Sequence, residues 1–228
     1  MTLPEIHYWR DPLFRPASPQ MALDEALFHW SLSSGIAAMR FYHWERAALT
    51  TGYFHRSQSE PPTPGLVRRF TGGGLVEHGK DLTFVLTLPA GTAAARAPGA
   101  DRYRWIHEAL AAALATVGFP AALEPADLPA TRGPCFAHPV PWDLRDPESG
   151  RKIGGGAQRR SRGAVIHQGS IRLPSELRDP AAEWIDDFID RLAVTSSPLP
   201  PAVREEVANA AVKLEKERYG REDWNDRA

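Results

Sequence analysis

Three groups of residues in this chain have the types and spacing that chemistry needs. The first is Cys135, the one cysteine, in the run GPCFAHPVPWDL. A thiolate is a strong nucleophile, and a nearby ammonium favours the thiolate form. The second group supplies such an ammonium: Lys152 follows shortly, just before the triple glycine Gly154, Gly155 and Gly156. A lysine beside bare backbone can reach a bound carbonyl or phosphate as a point charge. The third is RRFTGGGLVEHGKDLTF (68–84). Here Gly72, Gly73 and Gly74 let backbone approach a ligand closely and aim N–H groups at an oxygen, with Arg68 and Arg69 as charge partners. The same glycines would also make a plain tight turn.

Other chemistries fit less well. Gly74 to Lys80 reads G-x-x-x-x-G-K, close to a nucleotide P-loop. Asp81 stands where that loop needs a hydroxyl, and a strand rather than a helix follows, so the P-loop reading is rejected. No G-x-G-x-x-G in strand–turn–helix context is present. Cys135 and His138 alone are too few ligands for zinc, and no metal is expected. A lone cysteine is commonly a buried small apolar residue; the loop position beside Pro134, upstream of Lys152, favours the nucleophile. With 27 basic and 28 acidic residues the net charge is −1, which argues against a nucleic-acid binder. The basic run Arg151, Lys152, Arg159, Arg160 and Arg162 is expected to form one cationic face suited to an acidic protein partner. No stretch approaches the roughly 20 apolar residues of a membrane span. No apolar leader is visible at the N-terminus and one cysteine permits no internal disulfide, so the expectation is a cytoplasmic protein with a free thiol.

The elements that must position these groups follow from periodicity. At 228 residues the chain is read as a single domain, 1–228. A helix is expected after Ser18, capped by its hydroxyl, with Leu23, Leu27 and Trp30 at helical spacing. Residues 41–54 read as strand, turn and strand, closed by a Pro-rich link over 60–65. DLTFVLTLP from Asp81 alternates as a half-buried strand does. A loop over 89–100 leads to a helix from Asp101, with Ile106, Leu110, Leu114 and Val117 on one face and Gly118 as its stop. Residues 153–173 read as a hairpin turning at Ser161, Arg162 and Gly163, and closing helices follow from Pro180 and Pro201. The class is α+β: a central mixed or antiparallel sheet flanked by helices.

The two glycine loops together resemble one family, the lipoate/octanoate protein ligases and transferases, related to biotin protein ligases. RRFTGGGLVEH is similar to that family's arginine pair, glycine run and histidine. KIGGGAQRR followed by HQGSI looks like its lysine loop and next strand. MALDEAL (21–27) and FYHWERAALTTGYF (41–54) are similar to its early helix and next hairpin. The likeness runs from about residue 20 to 173. It implies a class II biotin/lipoyl ligase-like catalytic domain, with the acyl chain in a tunnel and its carboxyl end between the loops. Arg69, Gly72, Gly73, Gly74, Val76 and His78 would form one wall; Gly154, Gly155, Gly156 and Ala157 would form the other.

Within the family the chain looks most like the cysteine-dependent octanoyltransferases, in which Cys-Phe precedes a Pro, an Asp-Leu and the lysine loop. That likeness implies Cys135 as the acyl-bearing nucleophile and Lys152 as its activator. The reaction would move an octanoyl or lipoyl group to a lysine of a lipoyl domain without a cofactor. Its donor would be acyl carrier protein, its acceptors H protein or E2 subunits, with neither nucleic acid nor membrane involved. Two alternatives stand beside it. One is an ATP-dependent lipoate–protein ligase using ATP and magnesium. The other is a non-catalytic subunit that binds lipoyl domains. The short chain, without the C-terminal accessory domain of many ligases, is expected to favour transfer. Departures from the pattern include glycine at Gly155 or Gly156 where a Ser is usual, and His55 where Gln is common.

Overall fold

An eight-stranded mixed sheet, apolar on both faces at its centre, holds the second glycine run, and a smaller sheet beside it carries the first. The computed structural model describes residues 1–55, 65–129 and 134–226. In chain order its elements are β1 (Leu3–Arg10), α1 (Ala17–Ser34), β2 (Ala37–Tyr42), β3 (Ala48–Thr51), β4 (Leu66–Arg68), β5 (Val76–His78), β6 (Leu82–Leu88), α2 (Ala93–Arg96), α3 (Gly99–Thr116), β7 (Ala122–Leu123), β8 (Leu144–Arg145), β9 (Lys152–Ser161), β10 (Ala164–Ile171), α4 (Trp184–Leu192), β11 (Ala193–Pro198), α5 (Pro201–Leu214) and α6 (Glu222–Asn225). A π-helical turn, Glu215–Tyr219, joins α5 towards α6.

The large sheet runs β11-β1-β2-β6-β10-β9-β8-β7. β1 is parallel to β2 and β11, and the remaining neighbours are antiparallel. A second sheet, β4-β3-β5, carries the first glycine loop between β4 and β5. Helices cover both faces of the large sheet. Leu82, Phe84, Leu86 and Leu88 of β6 share a core with Ile106, Leu110 and Leu114 of α3 and with Phe188 of α4. Val85 faces the other way, into a core with Leu23 and Leu27 of α1. Among the described residues no helix is long and apolar enough to cross a membrane.

The α+β expectation holds, and several local expectations need correction. β6 is buried over its full length rather than half-buried, because α1 covers the Thr83/Val85/Thr87 face. Ser18 lies inside α1 and caps nothing; its hydroxyl donates to the Tyr219 carbonyl at 3.0 Å. Residues 41–54 do not form a hairpin: β2 joins the large sheet and β3 the small one. The 89–100 loop contains α2, whose first turn is capped by Thr92, and α3 starts at Gly99. β1 and β11 were not foreseen. In β1 the buried residues Leu3, Ile6 and Trp9 recur every third position, which no period-two pattern catches. The β9–β10 hairpin turns through Arg162 (φ 52°) and Gly163 (φ 81°), the paired positive φ that suits strand twist. Positions 60–64 of the Pro-rich link lie outside the described residues.

Candidate active site

The first glycine loop is shaped by the arginine beside it. Arg69 is buried; its guanidinium donates to the carbonyls of Gly72 and Gly74, both at 2.9 Å, and to Thr50 Oγ1 at 2.7 Å. Two of the three glycine carbonyls are thereby turned to the arginine. The amides of Gly72, Gly73 and Gly74 hydrogen-bond to no other described residue. The loop also rests on bare backbone: a Cβ at Gly52 would fall 2.0 Å from the Gly73 carbonyl oxygen. Gly73 itself has φ 90°, a conformation that only glycine adopts at low cost. Burial pulls the Arg69 guanidinium down to about 10, against its attraction to Cys135.

Arg68 is spent differently. Its guanidinium donates to the carbonyls of Gly52, Tyr53, Trp224 and Asn225, and so does not point at a ligand. Of the two arginines expected to serve a ligand oxygen, Arg68 is thus turned to chain carbonyls, whereas Arg69 stands on the lining of the cleft described below.

Behind Thr50, His78 closes a second set of contacts. Its Nε2 lies 2.8 Å from Thr50 Oγ1 and its Nδ1 lies 2.7 Å from Asp81 Oδ2. Its ring stacks on Trp44 with centroids 4.0 Å apart. Burial alone would raise the Asp81 carboxyl. Attraction to His78 and hydrogen bonds from His78, Ser170 and the Gly79 amide instead hold it down at about 2.

The second loop is a strand. Lys152 opens β9, and its ammonium has three donors. They reach Asp143 Oδ2 at 2.6 Å, the Cys135 carbonyl at 2.9 Å and Cys135 Sγ at 3.2 Å. The Lys152 side chain is 2% exposed and that of Asp143 is 0% exposed, so water competes weakly for the pair. Asp143 is itself fixed by the Val140 amide at 2.7 Å and by the Tyr103 hydroxyl. That same hydroxyl accepts the Gly156 amide at 2.8 Å. Burial, reinforced by Asp143, pushes the Tyr103 phenol far up, so it stays a neutral donor. The glycines make this possible. A Cβ at Gly155 would sit 2.6 Å from Asp143 Oδ1 and 2.8 Å from Lys152 Nζ. A Cβ at Gly156 would sit 2.5 Å from His167 Nε2. A serine at either position would displace these groups, which gives the departure from the family pattern a physical reason.

Cys135 is held between the two loops. Its amide donates to the Leu75 carbonyl at 2.8 Å, one residue past the first glycine run. Its carbonyl and sulfur both face Lys152. The residue is half-buried. Lys152 and Arg69 face it as cations and Asp143 as an anion.

A narrow cleft opens here, with a cavity volume of about 40 Å³. Its apolar depth is formed by Met21, Tyr42, Trp44 and Val76, and Cys135 stands on its lining. Of the sequence-derived candidates, Arg69, Gly73, Val76, His78, Cys135, Gly155, Gly156 and Ala157 line it. Lys152 sits behind the sulfur. Gly72 and Gly74 are not on its lining, and Arg69 holds their carbonyls. Gly154 packs against Leu144 and Ile171, away from the cleft.

The sequence reading missed the supporting residues. Asp143 and Tyr103 orient the lysine; the Asp-Leu pair of the family pattern, Asp143-Leu144 here, was its visible signal. Asp24, from the MALDEAL helix, accepts from Tyr42, from Gln168 at 2.7 Å and from Arg40 at 2.9 Å. Gln168 in turn accepts from Thr71 at 2.7 Å, which ties α1 to the glycine loop. Burial raises the Asp24 carboxyl despite these partners. The basic run is not one face either. Arg159 lies between Tyr53 and Phe70, 3.8 and 4.0 Å from their ring centres. Arg160 donates to the Ala95 and Ala97 carbonyls.

Comparison with known proteins gives the family and the fold. Residues 16–217 match the model of the lipoyl protein ligase A/B catalytic domain. A relative from Staphylococcus epidermidis, named octanoyltransferase LipM, is 33% identical over 85% of this chain and 72% of its own length. The Staphylococcus aureus protein of that name is 31% identical over 90% of this chain and 75% of its own. The Oceanobacillus iheyensis one is 32% identical over 69% of this chain, which spans 60% of the relative. Among solved structures, a lipoate-protein ligase A bound with ATP superposes with a TM-score of 0.68 at 20% identity, covering 99% of both chains. The bipartite lipoate protein ligase of Thermoplasma acidophilum gives 0.68 at 19% identity, over 99% of this chain and 96% of that one. The chain belongs to the lipoyl protein ligase A/B catalytic-domain family.

Proposed function

We propose that this chain transfers an octanoyl or lipoyl group to a lysine of a lipoyl domain, through a thioester on Cys135. The observation that carries the reading is the 3.2 Å separation of Lys152 Nζ and Cys135 Sγ on the lining of the cleft. An ATP-dependent ligase needs no sulfur there. The names of the bacterial relatives point the same way.

The steps follow from the groups present. The Cys135 thiolate attacks the thioester carbonyl of the donor, and the Lys152 ammonium stabilises the sulfur's charge beforehand. Negative charge moves to the carbonyl oxygen in the tetrahedral intermediate. The Gly72–Gly74 amides are the available donors for it, because the Gly156 amide is occupied by Tyr103. Collapse expels the donor thiolate, which takes a proton, and leaves acyl-Cys135. The neutral amine of the acceptor lysine then attacks this thioester. An amide forms, the carbon–sulfur bond breaks, and the proton lost by the amine returns to the sulfur. No cofactor enters the balance. The donor is an acyl carrier protein and the acceptors are lipoyl-domain proteins such as H protein or E2 subunits, met in the cytoplasm where a free thiol persists.

Incubation with octanoyl–acyl carrier protein, followed by intact mass, tests this. The expected product is a hydroxylamine-labile octanoyl adduct that Cys135→Ala abolishes. No adduct, together with lipoate-dependent exchange between ATP and pyrophosphate, would transfer the case to a ligase.

A further inference from the structure

The first arginine of the pair, Arg68, is bound by the end of the chain, and that end lies past residue 217, where the match to the family model stops. Arg68 is 1% exposed. Its Nε donates to the Trp224 carbonyl at 2.9 Å and its Nη2 to the Asn225 carbonyl at 3.2 Å. Its backbone is held as well. The Arg68 amide donates to Asn225 Oδ1 at 3.0 Å, and the Trp224 indole donates to the Arg68 carbonyl at 3.1 Å. α6 therefore satisfies β4 at both backbone groups of one residue, as an added strand would.

The same guanidinium reaches the other way. Arg68 Nη1 donates to the Gly52 carbonyl at 3.1 Å and the Tyr53 carbonyl at 3.2 Å. Those two residues form the surface on which the glycine loop rests. Gly52 meets the Gly73 carbonyl, and the Tyr53 amide donates to the Thr71 carbonyl at 2.7 Å. Trp224 packs edge-on against the Tyr53 ring, with centroids 5.6 Å apart. The terminal segment is in turn anchored to α1: Arg218 and Tyr219 both contact the Glu25 carboxylate, and Asn225 Nδ2 donates to the Tyr219 carbonyl at 3.0 Å.

We infer that the terminal segment Glu215–Asn225 is a clasp that sets the position of the Gly72–Gly74 loop, with Trp224 and Asn225 as positioning residues acting through Arg68 and the Gly52–Tyr53 turn. The inference rests on the transferase reading only for its consequence in catalysis. The loop amides are the donors for the tetrahedral oxygen, so loosening them slows chemistry without weakening capture of the donor. None of the clasp residues lines the cleft.

The test is amide hydrogen exchange of the full-length chain, without substrate, for wild type, Asn225→Ala and Trp224→Phe. The phenylalanine variant keeps an aromatic ring at this position and removes the indole N–H with part of the ring, which guards against collapse of the segment. Exchange of the Tyr53 and Arg69 amides, which donate to the Thr71 and Thr51 carbonyls, is expected to quicken about tenfold in both variants, while α3 and β10 keep their wild-type protection. Unchanged exchange at Tyr53 and Arg69, or equal quickening of α3 and β10, would overturn the clasp. In the acylation assay the variants should lose about tenfold in maximum rate at unchanged donor half-saturation. An unchanged rate alongside a loosened loop would overturn the catalytic consequence. If wild type itself forms no acyl adduct, the transferase reading fails while the exchange result still decides the clasp.

Discussion

The two glycine runs look alike in sequence and work in opposite ways. Gly154–Gly156 lie inside β9, paired to β10 on one side and reached by β8 at Gly154 on the other. There the glycines leave space: they clear room beside the strand for the Lys152–Asp143 ion pair and the His167 ring. Gly72–Gly74 lie in a loop on the small sheet, held by Arg69 from within and resting on Gly52. There the glycines present backbone. One run makes room for a buried ion pair; the other leaves three backbone amides without partners among the described residues. A triple glycine thus says that a side chain is excluded, but not whether the freed space goes to a neighbouring group or to a ligand.

That contrast can be broken by substitution. The largest effect is expected for Lys152→Ala, which removes all three contacts of the ammonium and leaves Asp143 buried without its partner. Acylation of Cys135 should fall at least about 100-fold, read from single-turnover mass spectrometry. Folding stability should drop by about 3 kcal/mol in denaturant titration, because a buried charge loses its partner. An active Lys152→Ala protein would remove the mechanism.

Gly155→Ala comes next. Its methyl would enter the ion pair, so the rate should fall about tenfold or more as Lys152 is displaced from the sulfur. Gly72→Ala is the matched control: a Cβ there meets only the Phe54 ring at 3.9 Å, and φ is not positive. Rate changes below about twofold are expected for it, since ordinary van der Waals contact costs little. Equal damage at both positions would erase the distinction between the two loops.

Acid sharpens the comparison from the two histidine environments. On the lysine side, burial lowers the His107 imidazole to about 4, with a backbone hydrogen bond to Trp142 opposing it. The unfolded chain therefore takes up that proton first, and stability should fall as pH drops from about 6.5 to 4, by roughly 3 kcal/mol. On the glycine-loop side, Asp81 is held at about 2. Its contribution is present above about 4 and is lost only between there and pH 2. Denaturant midpoints measured from pH 7 to pH 3 should show the first decline before the second. A flat profile above pH 4 would contradict the buried neutral His107.

Much of this was legible in the residues, and the limits were physical. α3, the β9–β10 hairpin and β6 follow from strong periodicity and turn chemistry. The motifs carried Cys135, Lys152 and both loops. What pattern could not show was pairing. Residues 41–54 read as one hairpin, yet the sheet switches between Tyr42 and Ala48, a tertiary choice without local signature. β1 and β11 are edge-side strands with sparse apolar residues, so they lack the signal of β6. The roles of Arg68 and Arg69 were likewise hidden. Charge next to glycine reads as ligand binding, and only coordinates reveal that backbone carbonyls already occupy both guanidiniums. Asp143 stood in the motif without a role, because a buried ion pair joins residues from separate segments.

The central claim is that Cys135 carries the acyl group between two proteins, and a chase experiment tests it most directly. The octanoylated chain, freed of donor, is mixed with a lipoyl domain in the absence of ATP. The account predicts that octanoyl leaves Cys135 and appears on one lysine of the domain in equal amount. An adduct that persists, or a domain modified only when ATP and free acid are added, would contradict it.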